Sequence, residues 1–148
     1  MKTNYIFEDN LGFLWIGTTN GLYKYNGYGV DEYQYNVFDE YSLPNNNINS
    51  VIEDDFGNLW LGSESYLISY HRNSNTFKGF YKDKTSKVLG KSSNGTVWGF
   101  IQKTGIIRIT PTKTPIGSKL DASFNYSRNK VSLRFIKQIH QYCEDNYN

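Results

Sequence analysis

Along the first 110 residues, short apolar runs alternate with polar positions at a period of two, and each run ends at a glycine, asparagine or aspartate. Phe13, Trp15 and Gly17 fall on one face of an extended segment and Leu14, Ile16 and Thr18 on the other. Thr19-Asn20-Gly21 then supplies a turn, because asparagine and glycine tolerate positive φ, and Leu22-Tyr23-Lys24-Tyr25 returns as a second extended segment. Asn26-Gly27 turns again before Val30 to Tyr35. Counting residues 4–8 first, the pattern predicts four short antiparallel strands within residues 4–35.

The same pattern comes back. Glu8-Asp9-Asn10-Leu11-Gly12-Phe13-Leu14-Trp15-Ile16-Gly17-Thr18 recurs as Glu53-Asp54-Asp55-Phe56-Gly57-Asn58-Leu59-Trp60-Leu61-Gly62-Ser63, an offset of 45 residues, and a weaker copy runs from Ser92 to Gly99 after a further 38. A repeat of this length is the mark of a stacked or radial architecture, and four strands in about 45 residues make one blade of a β-propeller. The reading is an all-β chain, a partial β-propeller of two full four-stranded blades and part of a third, with a C-terminal α-helix. The blades occupy about 4–35, 48–81 and 87–109, so residues 1–110 form the partial propeller. Pro111 and Pro115 cannot donate to a strand ladder and are expected to stop the third blade short. Residues 111–129, rich in Thr, Ser, Pro, Lys and Asn, read as a linker, and an apolar stripe through Val131, Phe135, Ile139 and Tyr142 predicts a helix in 130–148.

Composition narrows the function. Thirteen tyrosines, nine phenylalanines and three tryptophans suit strands and tight turns. Residues 1–110 hold ten basic and eleven acidic side chains and the remainder six and three, so nothing resembles the dense basic patch that nucleic acid requires. The single Cys143 excludes an internal disulfide framework. No apolar stretch is long enough to span a membrane, and the first residues lack the apolar core of a signal peptide.

The candidate chemistry is sparse. Trp15, Trp60 and Trp98 have the flat faces on which sugars stack, but a residue that recurs in every blade is better explained by packing between blades. Glu53-Asp54-Asp55 lacks the alternating spacing of a calcium loop and reads as a turn. No nucleophile, base and orienting group can be named together, so an enzyme is not expected, and no motif calls for a cofactor or a metal. Loop residues that depart from the repeat are where a ligand would be met, which singles out Tyr66, His71 and Arg72, standing near the places of Gly21, Asn26 and Gly27.

The stretch Glu-Asp-x-x-Gly-x-Leu-Trp-Ile-Gly-Thr-x-x-Gly-Leu-x-x-Tyr, from Glu8 to Tyr25, resembles the two-component regulator propeller repeat of hybrid two-component sensors. The adjoining Tyr33 to Ile48 is similar to the usual link between blades of such proteins. The resemblance implies the periplasmic ligand-sensing propeller of a hybrid two-component receptor, with oligosaccharides as the ligand class, the remaining blades as packing partners, and a histidine kinase that is not among these residues. The alternative is a propeller-type interaction scaffold that binds protein and no small molecule.

Overall fold

The fold is that of a computed structural model, and the residues described are 1–121, 141, 142 and 144–146. The first blade consists of β1 (Thr3–Glu8), β2 (Leu14–Thr18), β3 (Gly21–Tyr25) and β4 (Val30–Tyr33), the second of β5 (Ile48–Glu53), β6 (Leu59–Ser63), β7 (Leu67–His71) and β8 (Thr76–Phe80). Each is an antiparallel meander in which chain order and spatial order coincide. The registers are equivalent: Phe7 pairs with Trp15 and Leu22 with Tyr33 in blade one, as Ile52 pairs with Trp60 and Leu67 with Phe80 in blade two.

The third blade departs from expectation. After β9 (Ser86–Lys91), β10 (Val97–Ile101) and β11 (Gly105–Thr110) the chain makes a single 3-10 turn at Pro115–Gly117 and returns as β12 (Lys119–Asp121), which pairs with β11 and completes a four-stranded sheet. Proline is tolerated at the start of a helical turn because the N–H it lacks has no partner there. Pro115 is buried, and the Asn58 side-chain amide donates to the Lys113 carbonyl at 3.1 Å, so the connection is tied to blade two. The first half of the expected linker is therefore blade structure. Its remainder, and most of the helix expected in 130–148, lie outside the described residues; Gln141, Tyr142 and residues 144–146 are helical.

Two apolar cores lie between successive blades. Trp15 and Leu22 of blade one meet Val51, Leu59, Leu61 and Tyr70 of blade two, while Trp60 and Leu67 meet Val88, Val97 and Ile107 of blade three. Strand β6 shows the logic most plainly: it is buried at every position because alternate side chains enter opposite cores. Trp15 and Trp60 are fully buried on equivalent strands, as the repeat predicts, whereas Trp98 is only half-buried. The first strands of neighbouring blades also touch, which sets β1, β5 and β9 on the inner side of the arc.

Candidate functional site

Each recurrent aspartate builds its own turn. Asp9 accepts from the backbone N–H groups of Leu11 and Phe13 through Oδ1, at 2.9 and 3.0 Å, and from the Trp15 indole through Oδ2, at 2.8 Å. Asp54 repeats this with Phe56, Asn58 and Trp60 at 2.9, 3.1 and 3.0 Å. The acidic run at Glu53-Asp54-Asp55 is thus a turn with an indole anchor. Among the described residues no cluster of His, Cys, Asp or Glu could hold a metal ion.

The two aspartates differ in charge balance. Burial raises the pKa of both, but at Asp9 the Trp15 indole, the backbone N–H groups and the Arg72 guanidinium outweigh it and hold the carboxyl below the usual range. At Asp54 burial prevails over the same hydrogen bonds, with neighbouring Asp55 adding to it, and the carboxyl is pushed up.

Deeper burial of Asp54 is the first source of the contrast, and Arg72 at Asp9 adds to it. The Arg72 Nη2 reaches Asp9 Oδ2 at 3.0 Å and Glu53 Oε2 at 2.9 Å, and its Nε donates to the Gly57 carbonyl at 2.8 Å. Glu53 also accepts from the Asn10 backbone N–H across the blade boundary. This residue, singled out as a loop departure open to ligand, joins the turns of blades one and two and also lines the larger trough described below. His71 shares a hydrogen bond with Ser74 within the β7–β8 turn and lines neither of the grooves described below.

Tyr66 stands differently. A side chain at Gly21, the equivalent position in blade one, would strike the Tyr33 carbonyl, with its Cβ at 2.6 Å. In blade two the bulk is exchanged: Tyr66 lies over Gly79, whose absent Cβ leaves room for the ring. The outcome is a groove of about 280 Å³ between β8 and the β4–β5 connection, with Tyr66, Tyr35, Glu40 and Lys78 in its walls.

A larger trough of about 660 Å³ lies at the opposite end of the blade one–blade two junction. Several of its polar groups already have partners: Lys24 with Asp31 at 3.1 Å, Glu32 with the Tyr23 hydroxyl beside the trough at 3.2 Å, Tyr70 with Asn75 at 2.9 Å, and Arg72 with Asp9 and Glu53 as above. Lys24 also lies 5.1 Å from the centre of the Phe13 ring, an arrangement that attracts cation to ring. Burial pushes the Tyr70 hydroxyl well above the ordinary tyrosine range, since Tyr70 is enclosed by Trp15, Tyr33 and Phe77. In the smaller groove, by contrast, Lys78, Glu40 and the Tyr66 hydroxyl carry no hydrogen bond or ion pair to a described residue. Uncommitted polar groups beside an aromatic ring are what a ligand site needs, so the groove is the stronger candidate. Of the residues named from sequence only Tyr66 belongs to it; Lys78 and Glu40 carry no repeat-breaking signal and come together only in the fold.

Residues 42–65 match the family model described as two component regulator propeller. No curated protein sequence matches the chain. The fold is shared with the extracellular domain of BT3049 from B. thetaiotaomicron, assigned to a hybrid two component system, at 21% identity and a TM-score of 0.58 over 70% of this chain. It is shared too with the extracellular domain of BT4673 from the same organism, assigned to a one component system, at 24% identity and a TM-score of 0.60 over 88% of this chain. The chain spans only 15% and 17% of those two chains, so it corresponds to a small part of each.

Proposed function

We propose that this chain, which carries the two-component regulator propeller repeat and folds as three propeller blades, is part of the periplasmic sensing propeller of a hybrid two-component receptor, and that its ligand is an oligosaccharide. The observation that carries the ligand class is the groove at Tyr66, where an aromatic ring stands beside an ammonium and a carboxylate that pair with no described residue. Sugars offer an apolar ring face and a rim of hydroxyls, and this wall offers a partner for each. Recognition of this kind needs no bond making, in keeping with a receptor module that passes on a binding event. Remaining blades of the propeller are the natural packing partners of the arc. No helix among the described residues is long and apolar enough to cross a membrane.

A glycan array probed with the full chain, followed by calorimetry on any ligand found, tests the proposal. Binding that is lost on Lys78→Ala while thermal unfolding is unchanged supports it. Binding untouched by Lys78→Ala and Glu40→Ala moves the site elsewhere, and failure of every glycan sinks the ligand class. The second reading, a propeller scaffold for a protein partner, is favoured by the groove's size, which falls just short of the roughly 300–1,000 Å³ usual for small-molecule sites.

A further inference from the structure

Asparagine followed by glycine occurs three times, at Asn20-Gly21, Asn26-Gly27 and Asn94-Gly95. In an unfolded chain the three pairs are chemically alike. The main-chain nitrogen of each glycine is placed to close a ring on the asparagine Cγ, and a residue without a Cβ leaves that approach open.

The fold treats them differently. The Gly21 N–H donates to the Asn46 carbonyl at 2.6 Å and the Gly95 N–H to the Ser92 carbonyl at 2.9 Å, and both glycines are buried. The Gly27 N–H donates to no described residue, Gly27 is exposed, and nothing lies within 4 Å of the place of its missing Cβ. Such a nitrogen attacks only after base has removed its proton, and a proton held in a buried hydrogen bond is out of reach of base until the segment opens. Gly27 alone of the three offers its nitrogen to solvent base without any opening.

The electrophile is prepared as well. Asn26 Oδ1 accepts from the Tyr28 and Gly29 N–H groups, both at 2.9 Å. Attack on Cγ moves negative charge onto this oxygen, and fixed backbone donors aimed at an oxygen that gains charge lower the barrier of acyl transfer. Asn94 Oδ1 has donors of its own in the Ser92 hydroxyl and the Thr96 N–H, but its glycine is committed. Asn20 Oδ1 accepts from no described residue, and its glycine is committed too. Nucleophile and electrophile are both ready only at Asn26.

We infer that Asn26 is a self-modification site, at which the folded chain converts its own amide to a carboxylate with water as the sole co-reactant. The deprotonated Gly27 nitrogen bonds to Asn26 Cγ, the Cγ–Nδ2 bond breaks, and ammonia leaves with a proton taken from solvent, so that a cyclic imide remains. Water then opens the imide at either carbonyl. Opening at Cγ gives aspartate, and opening at the main-chain carbon gives isoaspartate. The sum is an amide and a water consumed, a carboxylate and an ammonium formed. The site belongs to the β3–β4 hairpin, whose Lys24, Val30, Asp31 and Tyr33 wall the larger trough. Aspartate keeps the oxygen that holds Tyr28 and Gly29, whereas isoaspartate lengthens the main chain by a methylene beside the Tyr25–Val30 pair. The inference is independent of the ligand reading, because it concerns only the reactivity of this turn.

Peptide mapping with isoaspartate detection tests it, on the full chain kept in warm, mildly alkaline buffer with and without guanidinium chloride. In the denaturant the three asparagines should react at similar rates, because glycine follows each. Folding should slow Asn20 and Asn94 at least about tenfold more than it slows Asn26, since reaction there waits on an opening. The Asn94 side chain is itself exposed, so its slow reaction would show that the free Gly27 nitrogen, and not access to the amide, decides. Protection of Asn26 within about tenfold of that at either other site overturns the proposal. Ion exchange of the intact protein gives a second reading: an acidic form should grow in for the wild type and stay absent from Asn26→Ser over the same period. Its growth at the wild-type rate in that variant places the reaction elsewhere and equally overturns the proposal.

Discussion

Replacing Arg72 with methionine keeps most of the side-chain volume and removes the charge that neutralises two carboxylates. The Asp9 side chain is fully buried and that of Glu53 is 5% exposed, so neither can recover water without opening the turn. Removing one partner of a fully buried ion pair costs about 3–5 kcal/mol, and because the Arg72 side chain retains 21% exposure the lower end, about 3 kcal/mol, applies. At roughly 2–4 °C per kcal/mol for a chain of this size, the midpoint of thermal unfolding should fall by about 6–12 °C. Circular dichroism of R72M and wild type from pH 3 to pH 7 is the assay. The sign follows from Asp9, whose pKa is lowered in the fold: its contribution is present above the unfolded value and lost as pH falls through the folded one. The difference between the two proteins should therefore be full at pH 6–7 and shrink below about pH 4, near the unfolded aspartate value. A gap that stays constant down to pH 3 would falsify the electrostatic account and leave only lost packing of the arginine stem.

Three further outcomes are expected. Trp15→Ala and Trp60→Ala should each cost about 3–5 kcal/mol in chemical denaturation, and Trp98→Ala clearly less, since it is only half-buried. Gly62→Ala should destabilise the second junction because its Cβ would press on the Ser86 carbonyl, whereas Gly29→Ala, with open space around it, should leave the midpoint within a degree or so. Asp54 has a raised pKa, so its ionisation opposes folding as pH climbs past 3.8; Asp54→Asn should compare more favourably with wild type at pH 7 than at pH 4, and the reverse order would contradict the burial argument.

The repeat made the blades readable because strand period, turn chemistry and the buried tryptophans all recur at one spacing. It failed where structure escapes the period. Strand β12 is three residues long and follows two prolines, so nothing in its local pattern distinguishes it from a linker; it exists because Ile109 and Leu120 pair and Arg108 meets Asp121 at 3.1 Å. Arg72 was visible as an anomaly, but its partner Asp9 lies 63 positions away and no local rule links them. A cation appearing at the place of Gly27, in a chain whose turns repeat the acids Glu8-Asp9 and Glu53-Asp54, was the available signal. Tyr66 and Gly79 are a compensating pair of the same sort, legible only once β7 and β8 are side by side.

The Asn4 and Asn49 side chains donate to the Ile48 and Ser86 carbonyls of the next blade, main-chain groups and not particular side chains. A fastening of this type is indifferent to the identity of the residue it grips, since every amino acid offers the same oxygen. This fastening alone would let a gene encoding such blades exchange the residue gripped without a matched change, whereas the ion pairs of the two joints, Arg72 with Asp9 and Lys91 with Asp55, are particular to each.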